Sequence, residues 1–138
     1  MASLIYLDTH VMAWLYAGQT ERLPAAARKA VNESELLISP MVLLELQYLI
    51  EIGRFTDPVE QVVEILGRDL GLKVCDLPFP DVARRAVDLS WTRDPFDRLI
   101  VSQAGLREAP LVTKDRDIHE HYRGALWTMG GTPQVAGE

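Results

Sequence analysis

The chain has 138 residues, of which 48% are hydrophobic and 25% charged, and carries a formal net charge of −6. This length and composition predict one soluble globular domain with room for a real core, and the acidic balance excludes a protein that coats nucleic acid. A single cysteine, Cys75, excludes an internal disulfide, and with no signal-like stretch and no apolar run of membrane-spanning length, a cytoplasmic location is expected.

In chain order, residues 3–7 (SLIYL) read as a short buried strand, and 10–17 as a helix stopped by Gly18. A helix over 24–30 has proline in its first turn, 36–39 form a second strand, and Pro40 opens a helix to about Ile52. Asp57-Pro58 starts another helix, 72–75 form a third strand, and 81–90 a helix. Pro95 begins a helix to about Arg107, followed by a fourth strand over 110–113, a short helix after Asp115 and a fifth strand over 125–128. Such alternation predicts an α/β fold with a central, mainly parallel sheet of about five strands and helices on both faces. The domain is expected to span 1–129, with 130–138, rich in turn residues, as a mobile tail.

Acidic residues interrupt apolar segments where a neutral side chain would be expected. Asp8 closes the first strand, Glu45 sits among Leu43, Leu44 and Leu46, Asp94 and Asp97 flank Pro95-Phe96, and Asp115 follows the fourth strand. A carboxylate withdrawn from water costs several kcal/mol, on the order expected for buried ions, unless it is paired or binds a cation. Asp8, Asp94, Asp97 and Asp115 each also fit a simpler role as helix caps or dipole partners. Glu45 does not, because it lies inside a helix whose same-face neighbours offer no basic partner. Asp8 and Asp115 lie just beyond strand ends, where parallel sheets bind ligands.

Other signals are weaker. His119 and His121 are two residues apart and diverge on a helix; His10 borders Asp8 but fits a helix surface equally well. Trp14 and Trp91 read as core or staple residues rather than base-stacking platforms. Of the fourteen basic residues eleven are arginine, the better phosphate clamp, and Arg93, Arg98, Lys114 and Arg116 adjoin the acids. No phosphate loop, dinucleotide turn, nucleophile elbow or HExxH pair occurs. An all-oxygen ligand set selects Mg²⁺ or Mn²⁺ over zinc, and such ions activate water and stabilise a leaving oxygen. The residues alone thus point to a metal-dependent phosphoesterase.

Four blocks in order (7–15, LDTHVMAWL; 38–45, from Ile-Ser-Pro to Glu45; 93–104, RDPFDRLIVSQA; and 111–115, LVTKD) resemble the PIN-domain family, above all the VapC-type ribonuclease toxins of toxin–antitoxin pairs. The resemblance covers about 4–128 and implies a parallel α/β sheet flanked by helices. It carries the family's acidic quartet onto Asp8, Glu45, Asp97 and Asp115, with Asp94 and Asp117 as accessory acids and Thr113 orienting a carboxylate or a water. Arg98 or Arg116 is assigned to substrate phosphate. Ser102 departs from the family's usual alanine, a change expected not to matter. The implied activity is endoribonucleolytic cleavage of RNA with Mg²⁺ or Mn²⁺, and the implied partners are a VapB-type antitoxin and a second copy in a homodimer, with no membrane. The alternatives are a housekeeping PIN nuclease in RNA processing and a non-enzymatic RNA- or protein-binding PIN module. A haloacid-dehalogenase phosphatase ranks last, because His10 stands where that pattern has its second aspartate.

Overall fold

A computed structural model describes residues 3–128. The order of elements is β1 (Ser3–Leu7), α1 (Thr9–Tyr16), a 3₁₀ turn (Thr20–Arg22), α2 (Ala25–Glu33), β2 (Ser34–Ile38), α3 (Pro40–Glu51) and α4 (Val59–Leu70). There follow β3 (Lys73–Val74), α5 (Phe79–Ala86), α6 (Pro95–Leu106), β4 (Leu111–Val112), α7 (Arg116–His121) and β5 (Ala125–Leu126). The five strands form one parallel sheet in the order β3-β2-β1-β4-β5.

Consecutive side chains on a strand point to opposite faces, so burial of consecutive residues reports cover on both sides. In β1, Ile5, Tyr6 and Leu7 are all buried, and so are Leu36, Leu37 and Ile38 in β2. Both faces of the central sheet are therefore covered, as near-continuous apolar strands require. No helix among the described residues is long and apolar enough to cross a membrane.

Local chemistry sets the helix ends. Ser39 caps α3, its hydroxyl accepting the Met41 N–H at 3.1 Å, with Pro40 in the first turn. Helix α4 ends at Gly71 with φ of +73°, a left-handed conformation that glycine adopts without a Cβ penalty. The elements fall where the sequence predicts, with shifted bounds. The 3₁₀ turn was not foreseen, and α2 runs to Glu33 and passes directly into β2. Helix α5 begins at Phe79 rather than 81, because Pro80 is tolerated in a first turn, and it stops at Ala86 rather than 90. Backbone bonds from the Asp88 and Leu89 N–H groups turn the chain there, and the Arg98 guanidinium braces that turn by donating to the Ala86 and Val87 carbonyls at 3.1 and 2.9 Å. The expected mobile tail, 130–138, lies outside the described residues.

Candidate active site

The sheet reverses its winding at β1: β2 and β3 lie on one side, β4 and β5 on the other. Ligands of open parallel sheets bind beyond the carboxyl ends of the strands at such a switch point. Asp8 follows β1 and Asp115 follows β4, so both stand there. A crevice of about 480 Å³ is lined by Asp8, Glu45, Asp94, Asp97 and Asp115, together with His10, Val11, Trp14 and Lys114. A larger groove between α3 and α4, about 680 Å³, is mostly apolar and has Glu60 as the only acid in its lining.

Two threonines fix the inner acids. Asp8 is buried, its Oδ1 accepting the Thr9 N–H at 2.8 Å and its Oδ2 the Thr113 hydroxyl at 2.6 Å. The Thr113 Oγ1 in turn accepts the Asp115 N–H at 3.0 Å, which ties the loop after β4 to the end of β1. Thr9, fully buried, donates its hydroxyl to Glu45 Oε1 at 2.5 Å. At the rim, Asp115 caps α7 through the Ile118 N–H at 3.0 Å, and Asp94 caps α6 through the Phe96 N–H at 2.8 Å. Asp97 occupies the first turn of α6. Capping and a place in the crevice are thus not alternatives for Asp8, Asp94 and Asp115: each does both.

Electrostatics sets these acids apart from ordinary surface carboxylates. Burial and the charges of Asp94, Asp8, Asp115 and Glu45 push the Asp97 carboxyl up to about 8. Asp8 is raised chiefly by burial, against the opposing Thr113 and Thr9 hydrogen bonds. Glu45 is raised by burial, then by the charges of Asp8 and Asp94, with the Thr9 hydroxyl pulling the other way. The three ion pairs found among the described residues, Arg68–Asp69, Arg84–Asp81 and Arg107–Asp76, involve none of these acids. The cluster is a set of mutually repelling oxygens with no paired base.

That donor set suits a hard divalent cation. As the side chains are placed, no three histidine, cysteine, aspartate or glutamate groups among the described residues stand close enough to share an ion. Asp8 and Glu45 are held by hydrogen bonds on defined oxygens, so gathering ligands around an ion calls for rotation of the outer carboxylates.

The other residues singled out in the sequence have different surroundings. Asp117 and Arg116 are exposed on the first turn of α7 and do not line the crevice. Arg98 does not face it either. Its guanidinium donates to the Ala86, Val87 and Thr92 carbonyls, bracing the α5–α6 connection with three of its five N–H donors. Ser102 also matters more than expected, for its buried hydroxyl donates to the Val82 carbonyl at 2.7 Å and joins α6 to α5. Sequence reasoning gave Thr9 no role. Its only signal is a hydroxyl directly after a strand-end aspartate, and its partner Glu45 is 36 positions away.

Comparison with known proteins follows the same lines. The PIN domain family model matches residues 5–124. Ribonuclease VapC22 of Mycobacterium tuberculosis is 35% identical over 125 residues, covering 85% of this chain and 91% of that protein. Among solved structures, VapBC2 from Rickettsia felis, crystallised bound to a DNA fragment from its promoter, aligns with a TM-score of 0.55 at 20% identity. That alignment covers 83% of this chain and 90% of the other.

Proposed function

The chain belongs to the PIN-domain family, and from that premise we propose that it is a metal-dependent endoribonuclease, the toxin of a toxin–antitoxin pair. The observation that carries this reading is the convergence of Asp8, Glu45, Asp94, Asp97 and Asp115 in one crevice without a paired base. The VapC22 relative supports ribonuclease as the activity. Asp8, Glu45 and Asp97 would hold Mg²⁺ or Mn²⁺ once the outer carboxylates rotate inward, and Asp115 would help to hold it or a second ion.

A cation bound among these oxygens would supply activation of water and neutralisation of phosphate charge. The protein's part is positioning. Thr113 and the Thr9 N–H fix both oxygens of Asp8, so its carboxylate has one orientation. Thr9 orients Glu45 from the same turn of chain, which couples the two acids through one residue. Lys114, lining the crevice beside Asp115, supplies positive charge for an approaching phosphate. Asp94, engaged as a cap, serves as an accessory acid that raises the repulsion on Asp97. Asp117, at the exposed start of α7, serves as an accessory acid, and Arg98 or Arg116 contacts substrate phosphate. We further propose a VapB-type antitoxin as partner, a homodimer as the working form and the cytoplasm as location, as the resemblance to VapC-type toxins implies.

The test is cleavage of a mixed RNA pool by purified protein with Mg²⁺ or Mn²⁺, beside EDTA and Asp8→Asn controls. Metal-dependent cleavage that disappears in the variant is the expected result. Cleavage that survives in Asp8→Asn would remove Asp8 from the chemistry, and calorimetric titration with Mn²⁺ showing no binding to wild type would remove the metal.

A further inference from the structure

Helix α1 sets His10 and Trp14 one turn apart, and both line two depressions at once. One is the acidic crevice. The other is a groove of about 340 Å³ that continues from it and is lined further by Gln19, Arg54 and Phe55. The two are chemically opposite. The crevice gathers five carboxylates, whereas no acidic side chain lines the groove.

The groove offers a set of unspent contacts. Arg54 is exposed, and its guanidinium has neither an ion pair nor a hydrogen bond among the described residues. Gln19 gives its Oε1 to the Arg22 Nε at 2.8 Å, which leaves its amide N–H₂ unengaged. The Arg22 guanidinium lies over the Trp14 ring, 5.4 Å from its centroid, adding a second cation at the border. Phe55, half-buried, packs its ring against Tyr16 and lends the groove an aromatic wall.

Resting on the nuclease reading above, we propose that this groove seats the nucleotide adjoining the scissile phosphate of single-stranded RNA. Aromatic walls accept a base of any identity, the amide meets a base edge, and an arginine takes the neighbouring phosphate. The volume is at the low end for ligand pockets, room for one unstacked nucleotide and too little for a duplex, whose bases are closed to such readout. His10 to Trp14 spans about one helical turn, ~5.4 Å, so a strand lying across them joins groove to crevice without a gap. In a chain of net charge −6, this division gives the strand an attractive path beside a centre that repels it until a cation is bound. A peptide segment is the competing occupant, and the small acid-free pocket continuous with the hydrolytic crevice favours RNA over it.

The experiment compares wild type, Arg54→Gln and Phe55→Leu, after thermal melts establish that each variant folds. Binding of a short fluorescein-labelled single-stranded RNA is followed by anisotropy in EDTA, and its cleavage is followed with Mn²⁺. Each variant is expected to raise Kd and KM by about tenfold while kcat stays within about twofold, given the weight of single stacking and phosphate contacts. Arg54→Gln is also expected to reduce the slope of log Kd against log salt by about 0.7, the loss of one phosphate contact on a single strand, whereas Phe55→Leu leaves the slope unchanged. Unchanged Kd and KM in folded variants, with wild type still cleaving, would overturn the groove and leave the nuclease standing. Wild type that neither binds nor cleaves RNA would overturn both. Variants that release a co-purified antitoxin but bind RNA normally would overturn the proposal in favour of a protein seat.

Discussion

Asp97→Asn tests the electrostatics of the crevice directly. The Asp97 carboxyl titrates near 8 in the folded chain against an ordinary value of 3.8, raised by burial and by four neighbouring carboxylates. An acid whose folded value lies above its unfolded value binds its proton more tightly in the native state. Stability therefore falls as pH rises between the two values, at about 1.36 kcal/mol per pH unit. At pH 7 the span is roughly three units, an upper bound of about 4 kcal/mol against folding that solvent screening of this part-exposed carboxyl cuts to about 1–2 kcal/mol. The helix dipole at the first turn of α6 favours the anion, but by only about 0.3–1 kcal/mol, so repulsion and burial win. Asparagine keeps the shape and discards the titration. Urea melts in EDTA should therefore show Asp97→Asn equal to wild type near pH 4 and more stable by about 1–2 kcal/mol at pH 7. Saturating Mn²⁺ should close or reverse the gap, since an ion at about a hundredfold its Kd adds ~2.7 kcal/mol to the wild type alone. A variant less stable than wild type at pH 7 in EDTA, or a difference that does not change with pH, would refute the reasoning.

Three further substitutions separate positioning from bracing. Thr113→Val removes the hydroxyl that serves both Asp8 and the Asp115 N–H; it should cost about 1–3 kcal/mol in chemical denaturation and weaken Mn²⁺ binding by calorimetry. Thr9→Val frees Glu45 while leaving the Asp8 backbone bond in place, so kcat should fall by about tenfold or more, as for a misoriented ligand partner. Arg98→Ala removes the guanidinium bonds to three backbone carbonyls, of which Ala86 keeps the Leu89 N–H; stability should drop by about 1.5–3 kcal/mol while KM for RNA in the folded fraction stays the same. A raised KM with unaltered stability would instead return Arg98 to the substrate.

Much of this was legible locally. The short apolar runs, the prolines at helix starts and the glycine after α4 act through their own backbone, so strands and helices appear in the expected order. Convergence of the acids was legible too, because Asp8 and Asp115 follow strands and parallel strands share one carboxyl end. What escaped was decided by partners distant in sequence. The brace on the turn after α5 comes from Arg98, twelve residues on from Ala86. The role of Thr9 depends on Glu45 across a helix packing, and the hydroxyl of Ser102 found its carbonyl twenty residues back. The groove beside His10 is assembled from two separate segments, α1 through Gln19 and the end of α3 with the turn after it, and neither alone spells a nucleotide seat.

The sheet ends on both sides in strands of two residues, Lys73–Val74 and Ala125–Leu126. Such brief margins expose few free backbone groups, and one carries a lysine, which together discourage another chain from adding a strand. Copies of the finished protein must therefore meet through helices and loops. The hazard lies earlier, during synthesis, when LIYL of β1 and LLI of β2 are made long before β4 arrives to close the far side of β1. These uncharged apolar runs are the segments most open to amyloid-like pairing. Conditions that slow closure by β4 should favour inclusion bodies even where the native fold is stable.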